Sequence, residues 1–187
     1  MYNGLPPNHN VLAFDSFTRA DTTTTLGVAE SGQTWSVIGG NAHGISTNRA
    51  YTNVAAFSTT VVNVRVSNLI TVQATLTTTD NANSQYLVFR QTDSSNHHYV
   101  GQSGGVWIMY KKVAGVDTQI GTAAGTPASG DVLKVTMDGS TIKFYVNGTL
   151  LITVTESDNL TGTGAGIATW NSTTARWDNF SVRRGLL

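Results

Sequence analysis

Two acidic side chains near the C-terminal end have a spacing that could support acid–base catalysis. Glu156 and Asp158 stand two residues apart, so both carboxylates would point to one face of a β-strand. Glycoside hydrolases need such a pair, because one carboxyl donates a proton while the other attacks or activates water. The Ser, Asn and Gly neighbours of this pair favour a loop instead of a strand. The other glutamate of the sequence, Glu30, lies in the turn-like segment AESGQT. We therefore predict no catalytic pair and no enzyme activity.

Two further patterns match nucleophile and metal motifs only superficially. Gly101–Gly105 reads GQSGG, which fits the G-x-S-x-G elbow and would make Ser103 a nucleophile. That elbow joins a strand to a helix, whereas strand-like residues stand on both sides here, so we predict a hairpin turn. His97 and His98 are adjacent and would face opposite sides of a strand, so they could not readily chelate one metal. We place both at a loop rim.

The elements that must position these side chains read as β-strands. Apolar and polar residues alternate with period two over 62–67 and 70–77, which is typical of half-buried antiparallel strands. Asp138-Gly139 and Asn147-Gly148 separate three strand-like runs over 132–154, and predict a β-meander with type I′ turns. Further strand-like segments are 85–90, 99–102 and 106–113, and no segment has a helical period. The sequence predicts an all-β fold, a two-sheet antiparallel β-sandwich or jelly roll.

Composition bounds the domain count and the partners. At 187 residues one sandwich domain over 11–187 is the default, and residues 1–10, with two of the three prolines, read as an arm or linker. Lys plus Arg and Asp plus Glu number 11 each, so no broad cationic face is expected and neither nucleic acid nor an anionic membrane is predicted as a partner. The absence of cysteine excludes disulfides and thiolate-bound zinc. We expect neither a signal peptide nor a membrane span.

Several segments together resemble a known family. They are FDSFTR at 14–19, Trp35, YLVFRQTDSSNHHYV at 86–100, LKVTMDGSTIKFYVNG at 133–148 and GAGIATWNSTTARWDNFSV at 164–182. In order and spacing they resemble the LamG-like, concanavalin A-like jelly-roll domains. The resemblance implies that the first and last strands lie side by side. Many such domains bind carbohydrate, and many belong to cell-surface, secreted or bacteriophage virion proteins.

The resemblance also implies a metal candidate. Pairing of the first and last strands would bring Asp15 close to Asp178, where both could join backbone carbonyls around a structural Ca²⁺, which prefers six to eight oxygen ligands. The alternative is that these aspartates cap turns or pair with Arg19 and Arg176. The residues do not decide between the two interpretations.

Sugar binding requires an aromatic platform for the apolar face of a pyranose, flanked by planar polar groups. The predicted set comes from three neighbouring strands and one loop rim, and comprises Tyr86, Arg90, Tyr99, Trp107, Tyr110 and Trp170. The alternative for each aromatic residue is packing in the core. Trp35 and Trp177 are assigned to packing.

Three functions follow, in order of preference. The first is a non-catalytic, lectin-like module of a phage tail or head that contacts a surface glycan, in a virion or at an extracellular surface. The second is a purely structural virion protein that binds no sugar and docks the arm over 1–10 on a neighbouring subunit. The third is a glycoside hydrolase.

Overall fold

The computed structural model describes residues 10–66 and 69–185, so the predicted arm lies outside the described residues apart from Asn10. The described chain forms fifteen strands, and none of it forms a helix that could cross a membrane. The strands are β1 (Val11–Asp15), β2 (Ser36–Gly40), β3 (Gly44–Ile45), β4 (Ala50–Tyr51), β5 (Ser58–Asn63), β6 (Ile70–Thr78), β7 (Ser84–Asp93), β8 (Asn96–Ser103), β9 (Val106–Val113), β10 (Val116–Ala123), β11 (Asp131–Asp138), β12 (Thr141–Val146), β13 (Thr149–Thr155), β14 (Gly164–Trp170) and β15 (Arg176–Arg184).

The strands form two antiparallel sheets that pack face to face. The eight-stranded sheet runs in the order β13-β12-β11-β6-β15-β4-β3, with β1 also paired to β15. The seven-stranded sheet runs in the order β10-β9-β8-β7-β14-β5-β2. The all-β, two-sheet sandwich predicted from the period-two alternation is confirmed.

The two ends of the described chain meet in the eight-stranded sheet. Asp15 on β1 lies opposite Phe180 on β15, and Val11 lies opposite Arg183. The Arg184 backbone N–H donates to the Asn10 carbonyl at 2.6 Å, which extends the same pairing. The side-by-side arrangement of the first and last strands is therefore present.

The main core fills the space between the sheets. Leu87 and Phe89 from one sheet meet Val135 and Phe144 from the other, and all four are fully buried. Burying one such side chain contributes about 1.5–3 kcal/mol, so this layer stabilises the sandwich without any cysteine. Trp35 and Trp177 are also in the core, as predicted.

The two predicted hairpin turns differ. Asn147 and Gly148 have φ of 50° and 82°, so both central residues are left-handed, as a type I′ turn requires. At the other turn Asp138 still pairs with Thr141, so the central residues are Gly139 and Ser140. Only Gly139 has positive φ, 54°, which fits a type II′ turn. The prediction of a type I′ turn at Asp138-Gly139 was wrong because the strand runs one residue further.

Candidate functional site

A groove of about 690 Å³ lies on the outer face of the seven-stranded sheet. Strands β7, β8, β9 and β14 supply its floor, and the loops over 52–57 and 80–83 supply further lining residues. Because side chains alternate along a strand, the residues of β7 divide between the two faces. Leu87 and Phe89 point into the sandwich, whereas Tyr86 and Val88 point into the groove.

Three tyrosines form a ladder across the groove floor. Tyr99 on the middle strand β8 packs edge-on against Tyr86 of β7, with ring centroids 5.0 Å apart, and is stacked with Tyr110 of β9 at 5.1 Å. Tyr99 therefore has an aromatic neighbour on each side. Its hydroxyl donates to Oδ1 of Asp117 at 2.8 Å. Burial, reinforced by this bond, raises the pKa of Tyr99, so the phenol stays protonated.

Trp170 provides an exposed aromatic surface at one end of the groove. It is the last residue of β14 and is 55% exposed, the largest exposed aromatic side chain among the described residues. Phe57, from the loop before β5, supports it edge-on with ring centroids 5.8 Å apart. The adjacent Asn171 amide donates to Oδ1 of Asn83 at 3.0 Å, so planar polar groups flank the indole.

The groove also contains one pair of charged side chains. The Lys112 ammonium on β9 lies 3.4 Å from Oδ2 of Asp117 on β10. It also lies 5.8 Å from the centre of the Phe57 ring. His97, opposite Lys112 in the strand register, is 3% exposed, and its Nδ1 has no hydrogen-bond partner in the protein. Burial and the neighbouring Lys112 lower the pKa of His97, which keeps the imidazole neutral at pH 7.

Of the six residues predicted to bind sugar, the structure brings four together. Tyr86, Tyr99, Tyr110 and Trp170 all line the groove. Arg90 and Trp107 point into the protein interior, so neither can contact a ligand in the groove.

Arg90 turns inward because of a β-bulge. Because alternate residues of a strand share a face, Arg90 should point into the groove with Tyr86 and Val88. Its φ is 48°, and the pairing of β7 with both neighbouring strands shifts register at this point. The guanidinium, 1% exposed, donates to the carbonyls of Glu156, at 2.8 Å, and Gly139. Arg90 therefore holds loops of the sandwich together instead of facing a ligand.

Trp107 turns inward because of its position on the strand. It lies three residues before Tyr110 on β9, an odd spacing that places the two side chains on opposite faces. Its ring packs against Phe144 in the main core, with centroids 5.7 Å apart. The prediction that Trp107 and Tyr110 belong to one surface was wrong. Their odd spacing in the sequence was sufficient to show that they face opposite sides of the strand.

Several groove residues were not predicted from sequence. They are Phe57, Asn83, His97, Lys112, Asp117 and Asn171. His97 lies two residues before Tyr99 on β8, and Lys112 lies two residues after Tyr110 on β9. Because side chains alternate between the faces of a strand, the sequence could have placed both on the face of these tyrosines. Phe57 comes from a loop, where no periodicity exists to indicate its direction.

Asp15, the first predicted metal ligand, is fully buried and already saturated with donors. Arg19 contacts both carboxylate oxygens, at 2.8 and 2.7 Å, and the Trp35 indole N–H donates to Oδ2 at 2.6 Å. The Phe17 backbone N–H donates to Oδ1 at 2.8 Å. This arrangement matches the alternative interpretation, an ion pair with Arg19.

Asp178, the second predicted ligand, accepts the Asn179 backbone N–H at 2.7 Å, and burial raises its pKa. Arg176 donates to the Thr173 and Ala175 carbonyls, so it does not form the alternative pair with Asp178. Among the described residues no group of three or more His, Cys, Asp or Glu could hold a metal. A calcium ion at Asp15 would have to displace Arg19, so these residues do not fit a calcium site.

We expect neither a chelator nor added Ca²⁺ to change the thermal stability. The donors around Asp15 are part of the protein, so excess EDTA removes nothing that holds the first and last strands together. Differential scanning fluorimetry with EDTA or with Ca²⁺ should give the same Tm. A Tm that rises with Ca²⁺ concentration would instead indicate a cation site elsewhere in the chain.

Glu156 and Asp158 form a charged cluster away from the groove. Lys111, on the opposite face of β9 from Lys112, lies 2.9 Å from Oε2 of Glu156 and 2.7 Å from Oδ2 of Asp158. Burial would raise the pKa of Glu156, but the Lys111 ammonium and the Asp158 backbone N–H lower it to about 2. A carboxylate held ionised in this way is a poor proton donor, so Glu156 is not suited to the role of general acid.

The two remaining motifs are structural. The predicted hairpin turn is present, but only Gly104 and Gly105 form it, because β8 runs on to Ser103. The Ser103 hydroxyl lies 3.0 Å from the Ser84 hydroxyl. His97 and His98 face opposite sides of β8, since His98 stacks on the core residue Phe89 at 5.6 Å. Their predicted place at a loop rim was wrong, because both are buried within the strand.

Comparison with known proteins shows the fold. No protein-family model matches the sequence, and no curated protein matches it. Among solved structures, the carbohydrate binding module CBM66 from Bacillus subtilis superposes with a TM-score of 0.67 at 17% identity, over 80% of this chain and 94% of that one. The Caenorhabditis elegans galectin LEC-6 gives a TM-score of 0.53 at 16% identity, over 74% of this chain and 98% of that one. The fold is a galectin-like jelly roll.

A third similar structure contains a bound sugar. It is domain 4 of AbnA, a GH43 extracellular arabinanase from Geobacillus stearothermophilus, in complex with arabinotriose. The TM-score is 0.53 at 15% identity, over 95% of this chain and 94% of that domain. At these identities the likeness concerns the fold, and the site must be argued from this chain's own residues.

Proposed function

We propose that this protein is a non-catalytic carbohydrate-binding module that holds a glycan in the groove of the seven-stranded sheet. The observation that carries the proposal is the exposed Trp170 at the end of an open, aromatic-lined groove. A volume of about 690 Å³ lies within the range of about 300–1,000 Å³ typical of ligand sites.

The groove offers the two kinds of contact that a sugar needs. The indole of Trp170 can take the apolar face of a pyranose, because more than half of this side chain is exposed to solvent. Asn83, Asn171 and Ser103 add amide and hydroxyl groups that can both donate to and accept from sugar hydroxyls.

The lining also supports a non-catalytic role. Asp117 is the single carboxylate among the described residues that line the groove, and it is occupied by Tyr99 and Lys112. Glycoside hydrolysis by the usual route needs two carboxyl groups on either side of the scissile bond. Binding without cleavage is the chemistry that the groove supports.

Proteins of the same fold support the ligand class. They include a module named as carbohydrate-binding and a domain in complex with arabinotriose. The placement in a virion or at a cell surface, and the alternative role in virion assembly, rest on the sequence resemblance alone and remain predictions.

Replacing Trp170 by Ala is expected to weaken glycan binding at least about fivefold, if a sugar ring stacked on the indole contributes as much as a stacked nucleobase, about 1–3 kcal/mol. Affinity electrophoresis through gels containing arabinan, xylan, galactan, mannan or glucan would measure the retardation of the parent and of Trp170→Ala.

The matched control is Tyr145→Ala. Tyr145 is a half-buried aromatic residue on β12 of the other sheet, beneath the Lys134 ammonium, which lies 4.7 Å from its ring centre. Its removal should leave retardation unchanged. The proposal fails if none of the polysaccharides retards the folded parent, or if Trp170→Ala is retarded as strongly as the parent.

A further inference from the structure

We infer that the groove accepts uncharged glycans and excludes those that carry carboxylate or sulfate groups. The inference rests on the proposed function and specifies its ligand class. It follows from how the ionisable groups of the groove are arranged.

The cation that an acidic sugar would need is already neutralised. Among the described residues that line the groove, Lys112 is the only Lys or Arg. Its ammonium is paired with Asp117 at 3.4 Å, and its side chain is only 19% exposed, whereas that of Asp117 is 39% exposed. An anionic ligand would therefore meet the carboxylate more readily than the ammonium.

The position of Asp117 is fixed by a second contact. The Tyr99 hydroxyl donates to Oδ1 of Asp117 at 2.8 Å, which leaves Oδ2 directed to Lys112. Tyr99 is itself held between Tyr86 and Tyr110. The carboxylate cannot move aside for an incoming anion without giving up both of these contacts.

His97 adds a polar group without adding charge. Its side chain is buried beside Tyr99, with ring centroids 5.7 Å apart, and its Nδ1 has no partner in the protein. Burial and the neighbouring Lys112 lower the pKa of His97, while Asp93 and Asp117 only partly oppose them. The imidazole is therefore neutral and gives no attraction to an anion.

A charged ligand would also lose its hydration in the groove without compensation. Burying a carboxylate or sulfate is costly unless a cation is available to pair with it. The other polar groups of the groove, on Asn83, Asn171 and Ser103, are neutral. They match the hydroxyls of an uncharged sugar.

The test uses one polymer in two charge states, polygalacturonate and its carboxyl-reduced form, in affinity electrophoresis. We expect the parent to bind the reduced polymer at least about tenfold more tightly than the acidic one, because only the acidic one faces Asp117. Asp117→Asn, which keeps the shape and removes the charge, is expected to increase affinity for polygalacturonate about fivefold or more by releasing Lys112. That gain should disappear in about 0.5 M NaCl.

The control is Asp158→Asn, which removes the same charge from beside Lys111 on the opposite face of β9. It should leave both affinities unchanged.

A parent that binds polygalacturonate as tightly as the reduced polymer overturns the inference and leaves the proposed function standing. A parent that binds no uncharged polysaccharide, while Asp117→Asn gains binding to polygalacturonate, supports the charge exclusion and contradicts the proposed function. If neither protein is retarded by any polymer, both proposals are overturned.

Discussion

Replacing Trp107 by Ala is expected to lower the free energy of unfolding by about 3–5 kcal/mol, whereas replacing Trp170 by Ala should change it by less than about 1 kcal/mol. Trp107 is 3% exposed and packs against Phe144, so its removal leaves a cavity between the sheets. Trp170 is 55% exposed and loses mainly its edge contact with Phe57. Urea unfolding followed by far-UV circular dichroism measures both changes without relying on tryptophan fluorescence.

Substitutions at the same two tryptophans should have the opposite order of effects on ligand binding. Trp170→Ala should lose glycan binding with its stability intact, whereas Trp107→Phe, which retains much of the volume, should bind as the parent does. If Trp107→Phe bound more weakly than Trp170→Ala at equal stability, Trp107 would have to reach the groove. The inward position of its ring described above would then be wrong.

The fold was accessible from sequence because its signals are local. Alternation over 70–77 and the Asn147-Gly148 turn each depend on neighbouring residues, and both are present in the structure. The Asp138-Gly139 turn shows the limit of such signals. The pairing of Asp138 with Thr141 moves the turn by one residue, and that register depends on the whole β11–β12 contact.

The groove was only partly accessible because it depends on strand order. β14 lies between β5 and β7 in the sheet, so it places Trp170 beside Phe57, 113 positions earlier in the chain. No local pattern indicates that neighbour. Arg90 shows the same limit within one strand. Its spacing of two residues from Val88 predicts that it faces the groove, but a bulge in the pairing with both neighbouring strands turns it inward.

The protein is expected to lose stability steeply as the pH falls from 6.5 to 4.5. Burial lowers the pKa of His43 to about 3, and burial together with Arg90 lowers that of His98 to about 4, from 6.5 for both in the unfolded chain. Below pH 6.5 the unfolded chain binds protons that the folded protein does not, so protonation favours unfolding. Averaged over this range each of these two histidines contributes about 1 kcal/mol per pH unit, so the two together cost about 4 kcal/mol. Below pH 4.5 protonation of Glu156, whose pKa is lowered to about 2, acts in the same direction.

Urea unfolding at several pH values, in the parent and in His98→Leu, tests this origin. His98 stacks on Phe89, and neither of its ring nitrogens has a partner in the protein, so Leu removes a titrating group without breaking a hydrogen bond. The variant should lose about 1 kcal/mol per pH unit less than the parent between pH 6.5 and 4.5. His43, which contacts the hydroxyls of Thr60 and Thr169, and His97, whose pKa is also lowered, remain in the variant, so at least about half of the slope should persist. Equal slopes in the two proteins would show that His98 titrates normally and is open to water in the folded state.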